Sequence, residues 1–132
     1  MLPRFKTLAD WEQAELLMQP CLIRVIDNLR KELESSPYKG TYHEVTEPIP
    51  GHELLLNYQG NSLVFNVWDL CFQVCFLNYH ASQEQEVLID PKLLEKSGQI
   101  DWHALEDKTK AVIRDIFIKL PQPNDSSVDL SH

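Results

Sequence analysis

The feature that most constrains the fold of this chain is the apolar run over residues 62–79, with the sequence SLVFNVWDLCFQVCFLNY. It contains no Lys, Arg, Gly or Pro, and it includes three of the five Phe residues and two of the three Cys residues. Burial of such apolar area is the main favourable contribution to folding. We therefore expect the run to lie in the hydrophobic core, covered by the rest of the chain.

The first half of the run alternates as a strand does, whereas the second half allows two interpretations. Leu63, Phe65 and Val67 occupy every second position, which is typical of a strand with one buried face. From Trp68 the alternation continues one residue out of phase, and such a slip turns the later side chains to the opposite face. Either a β-bulge near Trp68 keeps one long strand, or the strand ends at Val67 and Asp69 caps a short helix. The aromatic and β-branched residues favour the strand.

The meaning of Cys71 and Cys75 depends on that choice. On a strand the two side chains would lie on one face about 13 Å apart, too far for a disulfide or a shared metal ion. On a helix they would be neighbours about 6 Å apart, and a pair of metal ligands would be conceivable. No second ligand pair occurs at a usual zinc spacing. The sequence therefore predicts reduced core thiols, with no metal ion and no other cofactor.

The composition indicates a single domain. The chain has 132 residues, 43% hydrophobic and 24% charged, and a chain of this length buries about two-thirds of its unfolded surface. We expect one domain over 1–120 and a disordered polar tail over 121–132. No apolar run is long enough for a membrane span, and the first residues lack the apolar region of a signal peptide. These features predict a cytoplasmic protein that does not bind membranes.

The net charge of −8 is unevenly distributed. No Lys or Arg occurs between Lys39 and Lys92, a segment that contains seven Asp and Glu residues, whereas the flanking segments are nearly balanced. A nucleic-acid partner is not expected, because phosphate contacts require clustered Lys and Arg. The carboxylates either keep the sheet soluble and protect its edges, or form a surface that steers a basic partner or holds a divalent cation weakly.

Helix caps and apolar spacing predict helices at both ends of the chain. Thr7 resembles the N-cap of a first helix over 8–19, and Pro20 either kinks this helix or begins a second one. The second helix is expected to end near residue 34. Asp101 is expected to cap a last helix over about 102–120.

The middle of the chain predicts an antiparallel meander of four or five strands. The clearest signal is a hairpin that joins residues 53–59 to residue 62 onward through Gly60-Asn61. Shorter strands are expected over 41–47 and 86–89. The predicted class is therefore α+β, with two N-terminal helices and a C-terminal helix packed on one face of the sheet, and the other face open.

Candidate contact residues lie on these strands and at the change of phase. Asp69 is distinctive, because a carboxylate inside a sheet needs a hydrogen-bond partner or a raised pKa. It is interpreted as a helix cap, an ion pair with an Arg of the second helix, or a ligand contact. His43 and His52 are expected on neighbouring strands, where a histidine–carboxylate pair with Glu44 or Glu53 is possible. The candidate ligand or partner contacts are Tyr42, His43, Glu44, Glu47, His52, Glu53, Tyr58, Trp68 and Asp69.

These patterns favour a non-enzymatic protein-interaction module. It would use an acidic sheet face or edge to engage another protein or a second copy of itself. Two alternatives stay open: a small-molecule binder or small enzyme with a pocket between the sheet and the helices, and a weak divalent-cation binder. Nucleotide-binding, hydrolase and calcium motifs are absent, so the sequence predicts no catalytic residue and leaves catalytic activity open.

Two segments carry a resemblance to other proteins. Residues 11–34 and 68–76, WEQAELLMQPCLIRVIDNLRKELE and WDLCFQVCF, are similar to stretches of small uncharacterised cyanobacterial proteins of about this length. The two segments contain no catalytic or ligand motif, so the resemblance assigns no functional residue. It implies a cytoplasmic protein from a photosynthetic bacterium.

Overall fold

The computed structural model describes residues 4–45, 51–77, 79 and 86–120. Its elements are, in order, α1 (Leu8–Glu34), β1 (Lys39–Val45), β2 (Gly51–Tyr58), β3 (Asn61–Asn66), α2 (Val67–Cys75), a 3₁₀ turn (Pro91–Leu93) and α3 (Trp102–Ile118). The strands form an antiparallel sheet in the order β1-β2-β3. The α+β class is confirmed, but the described sheet has three strands where four or five were expected.

The largest correction concerns α2, for which the sequence favoured a strand. Asn66 begins the helix, because its side-chain Oδ1 accepts a hydrogen bond from the backbone N of Asp69 at 3.0 Å. The helical conformation places five buried residues on one stripe: Val67, Leu70, Cys71, Val74 and Cys75. A helix with this stripe packs against the sheet and α1 at once. Burial on both sides therefore outweighs the strand propensity of single residues.

α1 is one helix of 27 residues where two were expected. Thr7 is its N-cap as predicted, since the side-chain oxygen accepts a hydrogen bond from the N of Asp10 at 3.1 Å. Pro20 lies inside the helix and has no N–H to donate to the carbonyl of residue 16. The helix continues because Leu17 and Cys21, on either side of the proline, are fully buried in the core.

The predicted hairpin is confirmed, with its turn one residue earlier than expected. Tyr58 pairs with Asn61, so the two turn residues are Gln59 and Gly60. Their φ angles are 47° and 83°, and a two-residue turn with positive φ at both positions matches the right-handed twist of the strands. Glycine meets this demand without steric cost at the second position.

α2 is the central element, because it packs against β2, β3, α1 and α3. On the sheet side, Leu54 and Leu56 of β2 are fully buried, and they pair with Phe65 and Leu63 of β3. The main contacts of α3 are with α1 and α2. The helix packed on the sheet is thus α2 rather than the C-terminal helix of the prediction. α1 and α3 form the layer beyond α2.

An ion pair fastens the segment before the 3₁₀ turn to α3. Asp90 Oδ1 caps the turn by accepting from the N of Lys92 at 3.0 Å, and Oδ2 accepts from Lys108 Nζ at 2.6 Å. Burial raises the pKa of Asp90, but the hydrogen bonds from Lys108 and Lys92 outweigh this effect and lower the pKa overall. The segment forms isolated bridges at Glu86 and Ile89 and not the strand predicted over 86–89.

Some predicted features lie outside the described residues. They are Glu47, with the end of the strand predicted over 41–47, and the tail over 121–132. The single domain over 1–120 and the disordered tail stay predictions. At the ends of the described helices the sequence was more accurate, since Asp101 caps α3 by accepting from the N of Ala104 at 3.1 Å.

Candidate functional site

The sheet has an open face made of three cross-strand rows. The strand register places these residues on it: Lys39, Asn57 and Ser62; Thr41, Leu55 and Val64; His43, Glu53 and Asn66. Val64, in the central row, is 54% exposed. One Lys and one Glu balance each other on this face, so the rows carry no excess of acid. β1 is also an edge strand of the described sheet, and the side chains from Lys39 to Glu44 are exposed.

The structure brings one histidine of β1 into contact with one carboxylate of β2. His43 Nε2 lies 3.0 Å from Glu53 Oε1 on the open face. His52 is the register partner of Glu44. Because successive residues of a strand point to opposite faces, these two side chains lie on the other face of the sheet from His43 and Glu53. The two histidines thus do not share a site. Among the described residues, no group of three or more His, Cys, Asp or Glu side chains could hold a metal ion.

The predicted aromatic contacts are dispersed. Tyr42 on β1 is 42% exposed, and burial of the rest of the side chain raises its pKa. Tyr58 packs against Tyr38 at the edge of the core, with ring centroids 5.4 Å apart. Trp68 belongs to α2 and packs against Gly51, where an added Cβ would lie 3.1 Å from the indole Cδ1. The eight predicted contact residues that the structure describes therefore do not form one site.

Asp69 occupies the first turn of α2 and is half-buried. Its carboxylate accepts hydrogen bonds from Tyr79 OH at 2.6 Å and from Gln73 Nε2 at 2.9 Å. Burial and the nearby carboxylate together raise the pKa of Tyr79. Asn66, and not Asp69, is the N-cap. The carboxylate thus serves the local structure, where it joins the helix to the segment that follows it.

The three cysteines form a cluster in the core. Cys21, Cys71 and Cys75 are each 0% exposed, and Cys21 Sγ donates to the carbonyl oxygen of Cys71 at 3.9 Å. Thiol hydrogen bonds from Cys71 and Cys75 lower the pKa of Cys21, and burial acts in the opposite direction. Hydrogen bonds to Cys21 and burial raise the pKa values of the other two. The thiols are free and inaccessible to solvent, in agreement with the prediction of core cysteines.

The most distinctive exposed surface lies on α1, where no contact residue was predicted. Leu16 is 72% exposed, Ile23 is 66% exposed and the neighbouring Trp102 is 53% exposed. A groove of about 550 Å³ joins them. We call it the α1 groove. It is lined by Gln13, Leu16, Gln19, Pro20, Ile23, Leu94, Gly98, Gln99, Ile100 and Trp102. The α1 groove contains no charged residue.

Interactions with α1 hold Trp102 at the edge of this groove. The Arg24 guanidinium carbon lies 5.1 Å from the centre of the Trp102 ring, a cation–π contact. Arg24 Nη1 also donates to the carbonyl of Pro20 at 3.2 Å, and its Nε lies 3.5 Å from Glu106 Oε1 on α3. The indole is therefore presented by a network that joins α1 to α3.

The sequence contains a signal for the α1 groove that the prediction did not use. No charged residue occurs from Leu16 to Ile23, although charged residues are frequent on both sides of this stretch of α1. Leu16 and Ile23 are seven residues apart and lie away from the buried stripe of the helix. Single exposed apolar residues are common on proteins, but several that adjoin one another outside the core stripe of a helix indicate a contact surface.

Comparisons with protein-family models, with curated proteins and with solved structures found no significant match. The resemblance to cyanobacterial proteins therefore stays a prediction. None of the described helices combines the length and apolar character needed to cross a membrane.

Proposed function

We propose that this protein is a non-enzymatic interaction module whose partner is a second copy of the same chain, docked through α1. The observation that carries the proposal is the exposure of Leu16 and Ile23 on the outward side of α1, 72% and 66%, beside Trp102. Association removes such area from water, which is favourable. The α1 groove has no charged residue to desolvate, so the cost of covering it is low.

An antiparallel arrangement of the two α1 helices brings apolar residues together. Residues at equal distances from position 21 then face each other, so Leu16 faces Ile26 and Gln19 faces Ile23. These positions follow one another at intervals of three and four residues and share one side of the helix. A two-fold axis repeats each contact. Ile26 is 40% exposed, so the pairing covers area that the monomer leaves in water.

Charge complementarity supports a second copy in the antiparallel orientation. The outward carboxylate Glu12 lies four residues before Leu16, and Arg30 lies four residues after Ile26. In the same register Glu12 of each copy faces Arg30 of the other. A parallel arrangement would instead place Glu12 opposite Glu12. Opposite charges at both ends of an apolar contact favour one orientation and suppress the other.

The length of α1 is sufficient for a stable contact. Its 27 residues span about 40 Å at 1.5 Å per residue. Trp102 lies beside the helix and adds an aromatic residue fixed by Arg24, and Trp and Arg are common at the energetic centre of interfaces.

The test is the molecular mass in solution over a concentration series, measured by sedimentation equilibrium or light scattering. We expect a monomer–dimer equilibrium for the natural sequence. Ile23→Glu is expected to weaken the dimer by at least about 100-fold, because it places an unpaired carboxylate in the contact on each copy.

Ile118→Glu is the matched control. Ile118 is 67% exposed, lies on α3 and is not part of the α1 groove, so the same substitution should leave the dimer intact. A natural chain that stays monomeric at every concentration would refute the proposal. Equal dissociation of both variants would also refute it, because the effect would then not belong to α1.

A further inference from the structure

A second cavity, separate from the proposed dimer contact, lies between α1, α2 and the N-terminal segment. Its volume is about 370 Å³, within the range of small-molecule sites. We call this cavity the aromatic pocket. It is lined by Phe5, Trp11, Ala14, Glu15, Met18, Gln19, Trp68, Phe72 and Phe76. Five of these nine side chains are aromatic.

The rings are held by contacts with one another. The centroid of Phe5 lies 5.6 Å from Trp11 and 5.4 Å from Phe76, both in edge-to-face geometry. Phe72 stacks against Phe76 at 5.9 Å. Trp68 packs closely against Gly51, where an added Cβ would lie 3.1 Å from the indole Cδ1. The pocket is thus formed by rings whose positions are set before any ligand binds.

The charge distribution around the aromatic pocket favours a ligand with a positive charge. Among the described residues that line it, Glu15 is the one charged side chain, and none is Lys, Arg or His. Ring faces carry negative potential and attract cations, most strongly the face of Trp. A carboxylate at the margin of an aromatic pocket adds to this attraction. An anionic ligand would meet no compensating positive group.

We propose that the aromatic pocket binds a small organic cation, a substituted ammonium with an apolar or aromatic body. The apolar body would contact Met18 and Phe72, the cationic nitrogen would lie against the Trp rings, and Glu15 would balance its charge. This inference does not depend on the proposed dimer, since the pocket and the α1 groove share only Gln19.

The experiment uses three probes of the same shape and different charge. Benzyltrimethylammonium is the cation, neopentylbenzene is its neutral isostere, and phenylmethanesulfonate is the matched anion. Affinity is measured by calorimetry and by tryptophan fluorescence on the full chain. We expect the cation to bind about 5- to 30-fold more tightly than the neutral isostere, and the anion not to bind.

Indole signals in the NMR spectrum locate the site without any substitution. The N–H signals of Trp11 and Trp68 are expected to shift on titration with the cation, and that of Trp102 to stay in place, because Trp102 lies outside the pocket. A shift confined to Trp102 would place the ligand in the α1 groove and overturn the proposal.

Two substitutions separate the role of charge from that of shape. Glu15→Gln is expected to weaken the cation about 2- to 5-fold and to leave the neutral isostere unchanged, whereas Glu95→Gln, outside the pocket, should change neither. Trp68→Leu is expected to weaken the cation more than about tenfold, with folding checked by circular dichroism. Equal binding of cation and isostere, no binding of the cation, or full affinity in a folded Trp68→Leu variant would each refute the proposal.

Discussion

The outer sheet face and the outward side of α1 are both open to water, but they expose different chemical groups. The sheet exposes polar groups that bond to one another, and α1 exposes apolar side chains. On the sheet the polar residues bond to each other: His43 lies 3.0 Å from Glu53, and the Ser62 hydroxyl donates to Asn57 Oδ1 at 2.7 Å. Only the central row offers apolar area, chiefly Val64 at 54% exposure. Covering this face would bury polar groups that are already paired.

On α1 the most exposed side chains beside the groove are aliphatic, and the polar Gln13 of the groove donates a hydrogen bond to the carbonyl of Gly98 at 3.3 Å. Leu16 and Ile23 exceed Val64 in exposure, at 72% and 66%, and the α1 groove contains no charge. Covering it therefore gains apolar burial without desolvating a charged side chain of the groove. The comparison shows that exposure alone does not identify a contact surface, because the balance of apolar area and polar pairing decides it. We therefore favour the interpretation that the carboxylates on the sheet keep the protein soluble and protect the strand edges, over the one in which they bind a partner.

The comparison is tested most strongly by placing the same charge on each surface. Ile23→Glu should weaken self-association by at least about 100-fold, or about 3 kcal/mol, while Val64→Glu should leave it unchanged, because the sheet face stays in water in the dimer. Light scattering on the two variants checks this. Loss of the dimer with Val64→Glu alone would reverse the assignment of the two surfaces.

The stability of the helical side also depends on the ion pair between Lys108 and the buried Asp90. Lys108→Met is expected to lower the free energy of unfolding by about 2–3 kcal/mol, less than a fully buried pair, because the Lys108 side chain keeps 27% of its surface in water and Asp90 only 6%. Lys110→Met, on the exposed side of α3, should change it by less than about 0.5 kcal/mol. Urea unfolding measures both, and similar losses in the two variants would contradict the role given to Asp90.

The same pair predicts a dependence on pH. The pKa of Asp90 is lowered in the folded state, so its ionised form adds stability above the unfolded pKa of about 3.9. This contribution is lost as the pH falls through the lower folded value. In Lys108→Met the lowering by the ammonium is removed, so the decline on acidification should become smaller. Unfolding curves measured from neutral pH to pH about 3 give the comparison.

The orientation of the proposed dimer is tested by exchanging charges. Glu12→Arg or Arg30→Glu alone should weaken self-association about 2- to 5-fold, since each puts like charges opposite one another. The double variant should recover the affinity of the natural chain. If the double variant is as weak as the sum of the single changes, the two residues do not face each other across the contact.

The smallest effect is expected on the sheet. His43→Gln removes the contact with Glu53, and the side chains of this pair are 48% and 30% exposed. We expect a change in the free energy of unfolding below about 0.5 kcal/mol and no change in oligomeric state. A larger loss would mean that the sheet face contributes more than its solvent-screened contacts indicate.

The elements that the sequence predicted correctly are those set by nearby residues. Thr7 and Asp101 cap their helices through hydrogen bonds three residues along the chain. The hairpin depends on a glycine whose φ of 83° is favourable for that residue alone. In each case the decisive interaction lies close in sequence.

The sequence by itself determined that most apolar side chains over residues 63–76 lie in or against the core, that the chain is α+β, that β2 and β3 form a hairpin, and where α1 and α3 begin. Within the same apolar run, Val64 and Leu77 are exposed, at 54% and 58%. Only the tertiary structure decided that α2 is a helix, that α1 continues through Pro20, and that Leu16 and Ile23 are left outside the core. The apolar area of a segment requires burial in any conformation, so area alone does not choose between helix and strand. That choice depends on the shape of the surfaces it meets, here the sheet on one side and α1 on the other.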